Sequence, residues 1–194
     1  MLLDFLILRY NYFDMNSSTP VIFSDGTSFF DDLSKDYVCH DTAYFILAPS
    51  GSGKTHFVNS QQQKHWIDGD VLWPSANADL SHDGWDVPFD TVMEINNKSD
   101  IITHEAKKLG FWIIGSSNSW LKPNAIVLPE WSVHKSYISK RERTIYDGGA
   151  TTSDLGGVKS HRAWIRKWKK HGVPCFLSVK EAAHYLEKSK VRDL

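Results

Sequence analysis

The chain has few of the residues that mark secreted, membrane-spanning or zinc-binding proteins. It contains only two cysteines, Cys39 and Cys175, which are too few for a disulfide framework and lack the spacing of metal ligands. Its nine histidines form no H-x-x-x-H pair and no cluster with cysteine, so a zinc site is not expected. The apolar start, residues 1–9, lacks a basic leader and a cleavage site, and it is shorter than the ~20 residues of a spanning helix. We therefore expect a cytoplasmic protein with no membrane partner.

The chain also has little net charge, but this charge is unevenly distributed. Its formal net charge is −1, which argues against a protein that binds nucleic acids with a uniformly basic surface. Residues 1–110 contain 7 Lys and Arg against 16 Asp and Glu, whereas residues 111–194 contain 15 against 7. This asymmetry suits an anionic ligand held by the C-terminal half. The alternative is that solvated charged faces happen to segregate along the sequence.

Alternating apolar runs and helix-forming stretches indicate a single α/β domain. With 194 residues, of which 41% are hydrophobic, the chain is long enough for one well-packed domain. We predict an N-terminal extension with a β-hairpin at 1–40 and a main domain at 41–194. Strand-like runs occur at 44–47, 64–67, 111–114, 125–128 and 175–177. Because they alternate with stretches able to form helices, they predict a parallel sheet of about five strands flanked by helices.

Three helices and one long loop can be placed more closely. Helices are expected at 54–62, 158–170 and 179–188. In the second of these, apolar residues recur on one side and basic residues on another, which predicts an exposed basic face. Region 70–97 is rich in Trp, Asp, Pro and Asn and has little periodicity, so we expect a loop there.

A glycine-rich segment, Ala48-Pro-Ser-Gly-Ser-Gly-Lys54-Thr55, follows the first apolar run. It fits the pattern G-x-x-x-x-G-K-[ST] at every fixed position except the first, where Ala48 replaces glycine. Such glycines let successive backbone N–H groups turn inward around phosphate oxygens. We expect Lys54 to reach the β- and γ-phosphates and Thr55 to bind Mg²⁺. The residues expected to contact the cofactor here are Pro49, Ser50, Gly51, Ser52, Gly53, Lys54, Thr55 and His56. The motif predicts ATP or another nucleoside triphosphate as ligand, and the three-layer P-loop NTPase fold.

The apolar runs lack the acidic ending that motors, helicases and most regulatory NTPases need to hold Mg²⁺ or to polarise water. The run 111–114 is followed by Gly-Ser-Ser, and the run 125–128 is followed by Pro-Glu. This absence leaves kinases for small acceptors as the main class. In such kinases a carboxylate at the end of the second strand takes the hydroxyl proton of the acceptor or orients the nucleophile.

The second run continues as Trp66-Ile-Asp68-Gly-Asp70-Val-Leu-Trp-Pro74. This stretch resembles the D-G-D-x-L-x-P of gluconate kinases and the D-G-D of adenylylsulfate kinases, which are relatives of the nucleoside monophosphate kinases. The resemblance implies that Asp68 and Asp70 are catalytic residues of an acceptor site at about 68–108. It covers about half of the chain and supports a superfamily better than a substrate.

A second resemblance concerns residues 140–157, where arginines enter a Gly-rich stretch. By position this segment is similar to the lid of nucleoside monophosphate kinases, which closes over the transferring phosphoryl group. The resemblance implies that Arg141 and Arg143 act on that group and that Arg162 and Arg166 contact the nucleotide phosphates. The competing interpretation is a solvated loop and helix face.

Together these patterns predict a Mg²⁺- and ATP-dependent phosphotransferase for a small hydroxyl or phosphate acceptor, such as a nucleoside, a nucleotide or a sugar acid. Two alternatives stay open. One is a polynucleotide 5′-hydroxyl kinase, with which the ten Lys and Arg against three Asp and Glu in 135–170 are compatible. The other is a non-catalytic nucleotide-binding module.

Overall fold

A computed structural model of the chain describes residues 35–72, 88–144 and 149–192. The β-hairpin predicted within 1–40 lies outside the described residues. The middle of the predicted lid, 145–148, and most of the predicted loop at 70–97 also lie outside them.

Five short strands form one parallel sheet in the order β2-β3-β1-β4-β5. The strands are β1 (Phe45–Leu47), β2 (Trp66–Asp68), β3 (Trp112–Gly115), β4 (Ala125–Val127) and β5 (Cys175–Phe176). In the register of the central strands, Ile46 of β1 lies opposite Ile114 on one side and Ala125 on the other. The prediction of an α/β protein with a parallel sheet of about five strands is confirmed.

Helices cover both faces of this sheet. They are α1 (Lys54–Asn59), α2 (Phe89–Lys108), α3 (Trp131–Thr144), α4 (Leu155–Arg166) and α5 (Val179–Arg192). Alternate residues of a strand point to opposite faces, and the core divides accordingly. Phe45 and Leu47 pack with residues of α2 and α4, whereas Ile46 packs with residues of α1 and α5. Each central strand is buried on both faces, which explains its uninterrupted apolar sequence.

Several predicted boundaries are wrong. The helix predicted at 54–62 ends at Asn59, where the Ser60 hydroxyl donates to the Phe57 carbonyl. The helix predicted at 158–170 begins three residues earlier, at Leu155, and tightens into a 3₁₀ segment at Lys167–His171. The terminal helix continues to Arg192, beyond the predicted end.

Two predicted loops contain helix. Residues 89–97 belong to α2, whose first residue follows Pro88 at the N-cap. Within the predicted lid, 140–144 form the end of α3 and 155–157 form the start of α4. Among the described helices, none combines the length and the apolar composition that crossing a bilayer requires.

Asp100, on the buried side of α2, fixes the loop that follows β3. Its Oδ2 accepts hydrogen bonds from the backbone N–H groups of Ser119 (2.8 Å), Trp120 (2.5 Å) and Leu121 (2.9 Å). Its Oδ1 accepts one from the Asn118 side chain at 3.0 Å. Burial raises the pKa of Asp100 to about 6, although all four of these donors act to lower it. The Asp100 carboxyl therefore fixes residues 118–121, in the loop after the C-terminal end of β3.

Candidate functional site

The glycine-rich segment forms a tight loop between the central strand β1 and helix α1. The Ala48 N–H extends the ladder to β3 by donating to the Gly115 carbonyl at 2.9 Å. A turn follows, in which the Ser52 N–H donates to the Pro49 carbonyl at 3.2 Å. Gly53 is the N-cap of α1, with φ at 90°. The predicted order of strand, loop and helix is therefore present.

Glycine is required at position 51 for two reasons. Its φ of 76° lies in the left-handed region, which side chains disfavour. A Cβ there would also lie 2.6 Å from Cγ1 of Ile138, a fully buried residue of α3. The loop is thus packed tightly against α3 at this position.

Lys54, the first residue of α1, is a buried cation. Its relative exposure is only 6%, and within the described part of the chain no carboxylate forms a salt bridge with it. Burial lowers the pKa values of His134 and His161, and the charge of Lys54 lowers both further. A buried charge without a counterion is unfavourable, so this environment favours binding of an anion.

Thr55 and Asp68 meet beside this lysine. The Thr55 hydroxyl donates to Asp68 Oδ2 at 2.6 Å, although the two residues belong to different elements. Asp68 ends β2 and is only 6% exposed. The next residue, Gly69, packs closely against β3, since a Cβ there would lie 2.9 Å from the Gly115 backbone. The structure therefore brings the predicted metal ligand and one predicted acceptor-site carboxylate into direct contact.

Asp70 is placed differently from Asp68. It lies in the 3₁₀ turn Gly69–Leu72 and its side chain is exposed. Its N–H donates to Asp68 Oδ1 at 3.3 Å, which helps to orient the Asp68 carboxylate. The two aspartates are therefore linked to each other, and Asp68 contacts the loop through Thr55. Next to them, a small cavity extends between the ends of β2 and β3 and helix α2; its lining includes Gly69, Thr103 and Ser116.

A buried imidazole of α3 and a buried guanidinium of α4 support the loop. No sequence pattern predicts the imidazole. His134 of α3 is fully buried, and its Nε2 lies 2.8 Å from the Ser50 carbonyl. Arg162 of α4 donates to His134 Nδ1 at 2.8 Å and to the Pro129 carbonyl at 2.7 Å. Because Nδ1 accepts from the guanidinium, Nε2 must carry the proton and donate to Ser50. We call these three hydrogen bonds the buried strut. They fix the direction of the Ser50 carbonyl.

The buried strut corrects one prediction. Arg162 was expected on the exposed basic face of its helix, but it is only 6% exposed, so that expectation is wrong. Arg162 lies on the same side of α4 as Val158 and Ile165, which are fully buried. Burial lowers the pKa of Arg162, and Arg166 lowers it further, whereas the carboxylate of Glu130 raises it. The guanidinium contacts the loop through His134.

Of the two predicted lid arginines, Arg141 is close to the loop. It donates to the Ala150 carbonyl at 2.5 Å, and the Ala150 N–H donates to the Ser50 hydroxyl at 3.3 Å. Arg143 is exposed and bonds to Ser139 of its own helix at 3.1 Å. The remaining predicted contacts, His56 and Arg166, are also exposed. The structure thus groups Arg141 with the loop and leaves the other three on the surface.

The comparisons with known proteins add no identification. No protein-family model matches the chain, and no curated protein is significantly similar to it. Among the described residues, no group of three or more His, Cys, Asp or Glu could hold a metal ion by itself. A groove of about 750 Å³ lies between α1 and α5, and its lining residues do not belong to the loop. The site must therefore be interpreted from its own chemistry.

His161 of α4 lies beside the end of β3, at one side of the site. Its Nε2 lies 2.8 Å from the Ser116 carbonyl, just after β3. Burial lowers the pKa of His161 to about 4, and the charge of Lys54 acts in the same direction. The imidazole is therefore neutral at pH 7.

We expect His161 to make the protein sensitive to acid. The folded pKa lies below the ordinary 6.5, so the unfolded chain binds the proton more tightly and stability falls as the pH drops from about 6.5 to about 4. His161→Gln keeps an N–H donor for Ser116 but does not titrate. The difference in unfolding free energy between wild type and His161→Gln should change by up to about 3 kcal/mol across this range.

Chemical denaturation at closely spaced pH values measures this difference. His171→Gln, which removes an exposed histidine of the adjacent 3₁₀ segment, is the matched control and should follow the wild-type curve. Parallel curves for the wild type and His161→Gln would contradict the assignment of the acid sensitivity to His161.

Proposed function

We propose that the chain is a Mg²⁺- and ATP-dependent phosphotransferase of the P-loop kinase kind, acting on a small hydroxyl or phosphate acceptor. The observation that carries this proposal is the 2.6 Å contact between the Thr55 hydroxyl and the Asp68 carboxylate, next to buried Lys54. A simple Gly/Ser turn with an exposed lysine would require neither the burial of the lysine nor the carboxylate. The order β2-β3-β1-β4-β5, with the loop following the central strand, further supports the proposal.

The residues present fit a triphosphate. Lys54, Arg141 and the buried strut concentrate positive charge around Ser50 and Gly51, and within the described chain no carboxylate neutralises Lys54. Fixed charge of this kind stabilises a transferring phosphoryl group because it does not have to reorganise during the reaction. We assign Lys54 to the β- and γ-phosphates and Arg141 to the developing negative charge.

The residues also fit a magnesium ion. Mg²⁺ prefers oxygen ligands and is usually bound by one or two protein oxygens together with phosphate oxygens and water. Thr55 would supply the protein ligand, and Asp68 holds its hydroxyl in place. When bound, the ion neutralises charge on the phosphates.

Asp68 has a second role in this proposal. Its Oδ2 is bonded to Thr55, while from the described residues its Oδ1 accepts only the longer bond of the Asp70 N–H at 3.3 Å. Oδ1 is therefore the oxygen that would accept the acceptor's proton or orient its hydroxyl. The exposed carboxylate of Asp70 would contribute to acceptor binding rather than to the proton transfer.

An acceptor screen tests this function. Release of ADP from Mg²⁺-ATP would be measured with nucleosides, nucleotides, sugar acids and 5′-hydroxyl oligonucleotides, with Lys54→Ala as the matched control. At least one acceptor should accelerate ADP release by the wild type and not by Lys54→Ala. If none does, the catalytic proposal fails. ATP binding by calorimetry then decides whether a non-catalytic nucleotide-binding module remains.

A further inference from the structure

The outer face of α4 carries a row of exposed cations. Val158, Arg162 and Ile165 are buried, whereas Lys159, Ala163 and Arg166 are exposed. The exposed cations of this helix and of the 3₁₀ segment that continues it are Lys159, Arg166, Lys167, Lys169 and Lys170. Lys159 and Arg166 lie two turns apart on one side of α4, and Lys167, Lys169 and Lys170 follow in the 3₁₀ segment. We call these five cations and the two indoles described below the basic face.

The basic face is not neutralised by neighbouring acids. In the described ranges, none of its five cations lies within salt-bridge distance of a carboxylate. The nearby acids Glu142 and Asp154 accept hydrogen bonds from the backbone N–H groups of Thr152 and Thr151. By contrast, Lys98 of α2 pairs with Glu94 in the next turn. An unpaired row of this kind attracts a polyanion.

Two half-buried indoles lie among these cations. The Trp131 ring has Lys135, Lys159 and Arg162 at 5.4 to 5.7 Å from its centroid. The Trp164 ring has Lys167 at 4.6 Å, and its Nε1 donates to the Asn118 carbonyl at 3.1 Å. Both rings are thus held in place, and the lysines over them have flexible side chains that a stacking base would displace. Aromatic rings interleaved with cations are the combination that binds single-stranded nucleic acid.

The same helix connects this surface to the candidate site. His161 and Arg162 lie on the inner side of α4 and contact the Ser116 carbonyl and His134, beside the loop. An α-helix with its side chains is only about 10 Å thick. The basic face and the candidate site therefore lie on opposite sides of one helix.

We infer that the basic face docks single-stranded nucleic acid. The unpaired cations would contact its phosphates, and the indoles would stack on unpaired bases, which a duplex does not offer. If the proposed kinase function is correct, on which this last step rests, the 5′-hydroxyl of the docked strand is the phosphoryl acceptor. Docking itself requires neither ATP nor Mg²⁺.

Binding is measured by fluorescence anisotropy with an end-labelled single strand of about 12 nucleotides, without ATP. The combined variant Lys159→Glu and Lys167→Glu should weaken binding about tenfold or more. It should also lower the slope of log K against log salt by about 1.4, because each phosphate contact to a single strand contributes about 0.7. Lys180→Glu with Lys188→Glu on α5 changes the net charge equally and should leave binding unchanged. Trp131→Ala should weaken binding about tenfold, and Trp131→Phe much less.

Three results would overturn docking on this face: equal weakening by the α5 control pair, equal affinity for a duplex, or equal affinity for vesicles of anionic lipid. Thermal denaturation of each variant separates loss of binding from loss of folding. Transfer of labelled phosphate to 5′-hydroxyl and 5′-phosphorylated strands is measured separately. A strand that binds but is not phosphorylated, while a small acceptor is, refutes the acceptor step and leaves the kinase proposal intact. Failure with every acceptor refutes the kinase proposal and leaves docking intact.

Discussion

Replacing Asp68 by asparagine is expected to lower kcat for phosphoryl transfer about 10²- to 10⁴-fold, the usual contribution of a positioned general base. The amide keeps the size of the side chain but is a poor proton acceptor. It also weakens the hold on the Thr55 hydroxyl, which now donates to a carboxylate at 2.6 Å. Hydrogen bonds to a charged acceptor are roughly twice as strong as those between neutral groups. The Mg²⁺ concentration needed for half-maximal rate should therefore rise as well.

Asp70→Asn is the matched control for this substitution, because it makes the same chemical change two residues away on an exposed side chain. We expect it to raise KM for the acceptor with little change in kcat. Thr55→Ser retains the hydroxyl and should retain most activity, whereas Thr55→Val should lose it along with the magnesium dependence. Steady-state kinetics at varied Mg²⁺ measures all four variants. A larger loss of kcat for Asp70→Asn than for Asp68→Asn would reverse the roles assigned to the two aspartates.

Sequence reasoning predicts the part of this site that is formed by residues close together in the chain. Gly51 and Gly53 have the positive φ values that such a loop requires, and Lys54 begins the helix that follows. The two strands beside the loop are continuous apolar runs because parallel strands are buried on both faces. The sequence also predicts Thr55 and Asp68 separately as site residues, whereas it does not predict the hydrogen bond between them.

The buried strut shows where this reasoning stops. His134 is 84 residues from Ser50 and 28 from Arg162, and no short motif joins the three. Lys159, Arg162 and Arg166 share one helical spacing, but so do Val158, Arg162 and Ile165. A long side chain with an apolar stem fits either row, so periodicity alone could not decide whether Arg162 is buried.

The helix at 89–97 was missed for a different reason. The segment before it is rich in Pro, Asp and Trp and lacks periodicity. The predicted loop therefore continues past the point where the helix begins. The apolar residues Phe89, Val92 and Met93 already follow helical spacing, directly after Pro88. The same helix carries Asp100, which holds the loop after β3.

Replacing Arg162 by methionine is expected to weaken ATP binding about 10- to 100-fold while changing folding stability far less. The substitution removes the donor to His134 Nδ1 and leaves the Pro129 carbonyl without its partner. The imidazole is then free to turn, and the Ser50 carbonyl loses its fixed direction. A positive charge behind the loop is lost as well. Hydrogen bonds involving a charged group contribute about 1.5 to 3 kcal/mol, which corresponds to this range of affinity.

Stability should respond less because two effects of Arg162→Met oppose each other. Loss of the hydrogen bonds destabilises the fold, but removal of a buried cation without a salt-bridge partner in the described chain relieves its desolvation. We expect the unfolding free energy to change by about 1 to 2 kcal/mol at most. Titration calorimetry with ATP and chemical denaturation measure the two quantities. Lys180→Met, on the exposed surface of α5, is the control and should change neither.

A double-mutant cycle with His134→Leu shows whether Arg162 acts through the imidazole. Leucine removes both the donor to the Ser50 carbonyl and the acceptor that Nδ1 presents to Arg162. Residues linked in one hydrogen-bond network give non-additive effects. The double variant should therefore bind ATP about as weakly as Arg162→Met alone. Additive losses would instead mean that the Arg162 guanidinium contacts the phosphates directly, as the resemblance to nucleoside monophosphate kinases implies, and would contradict its role as a support for the loop.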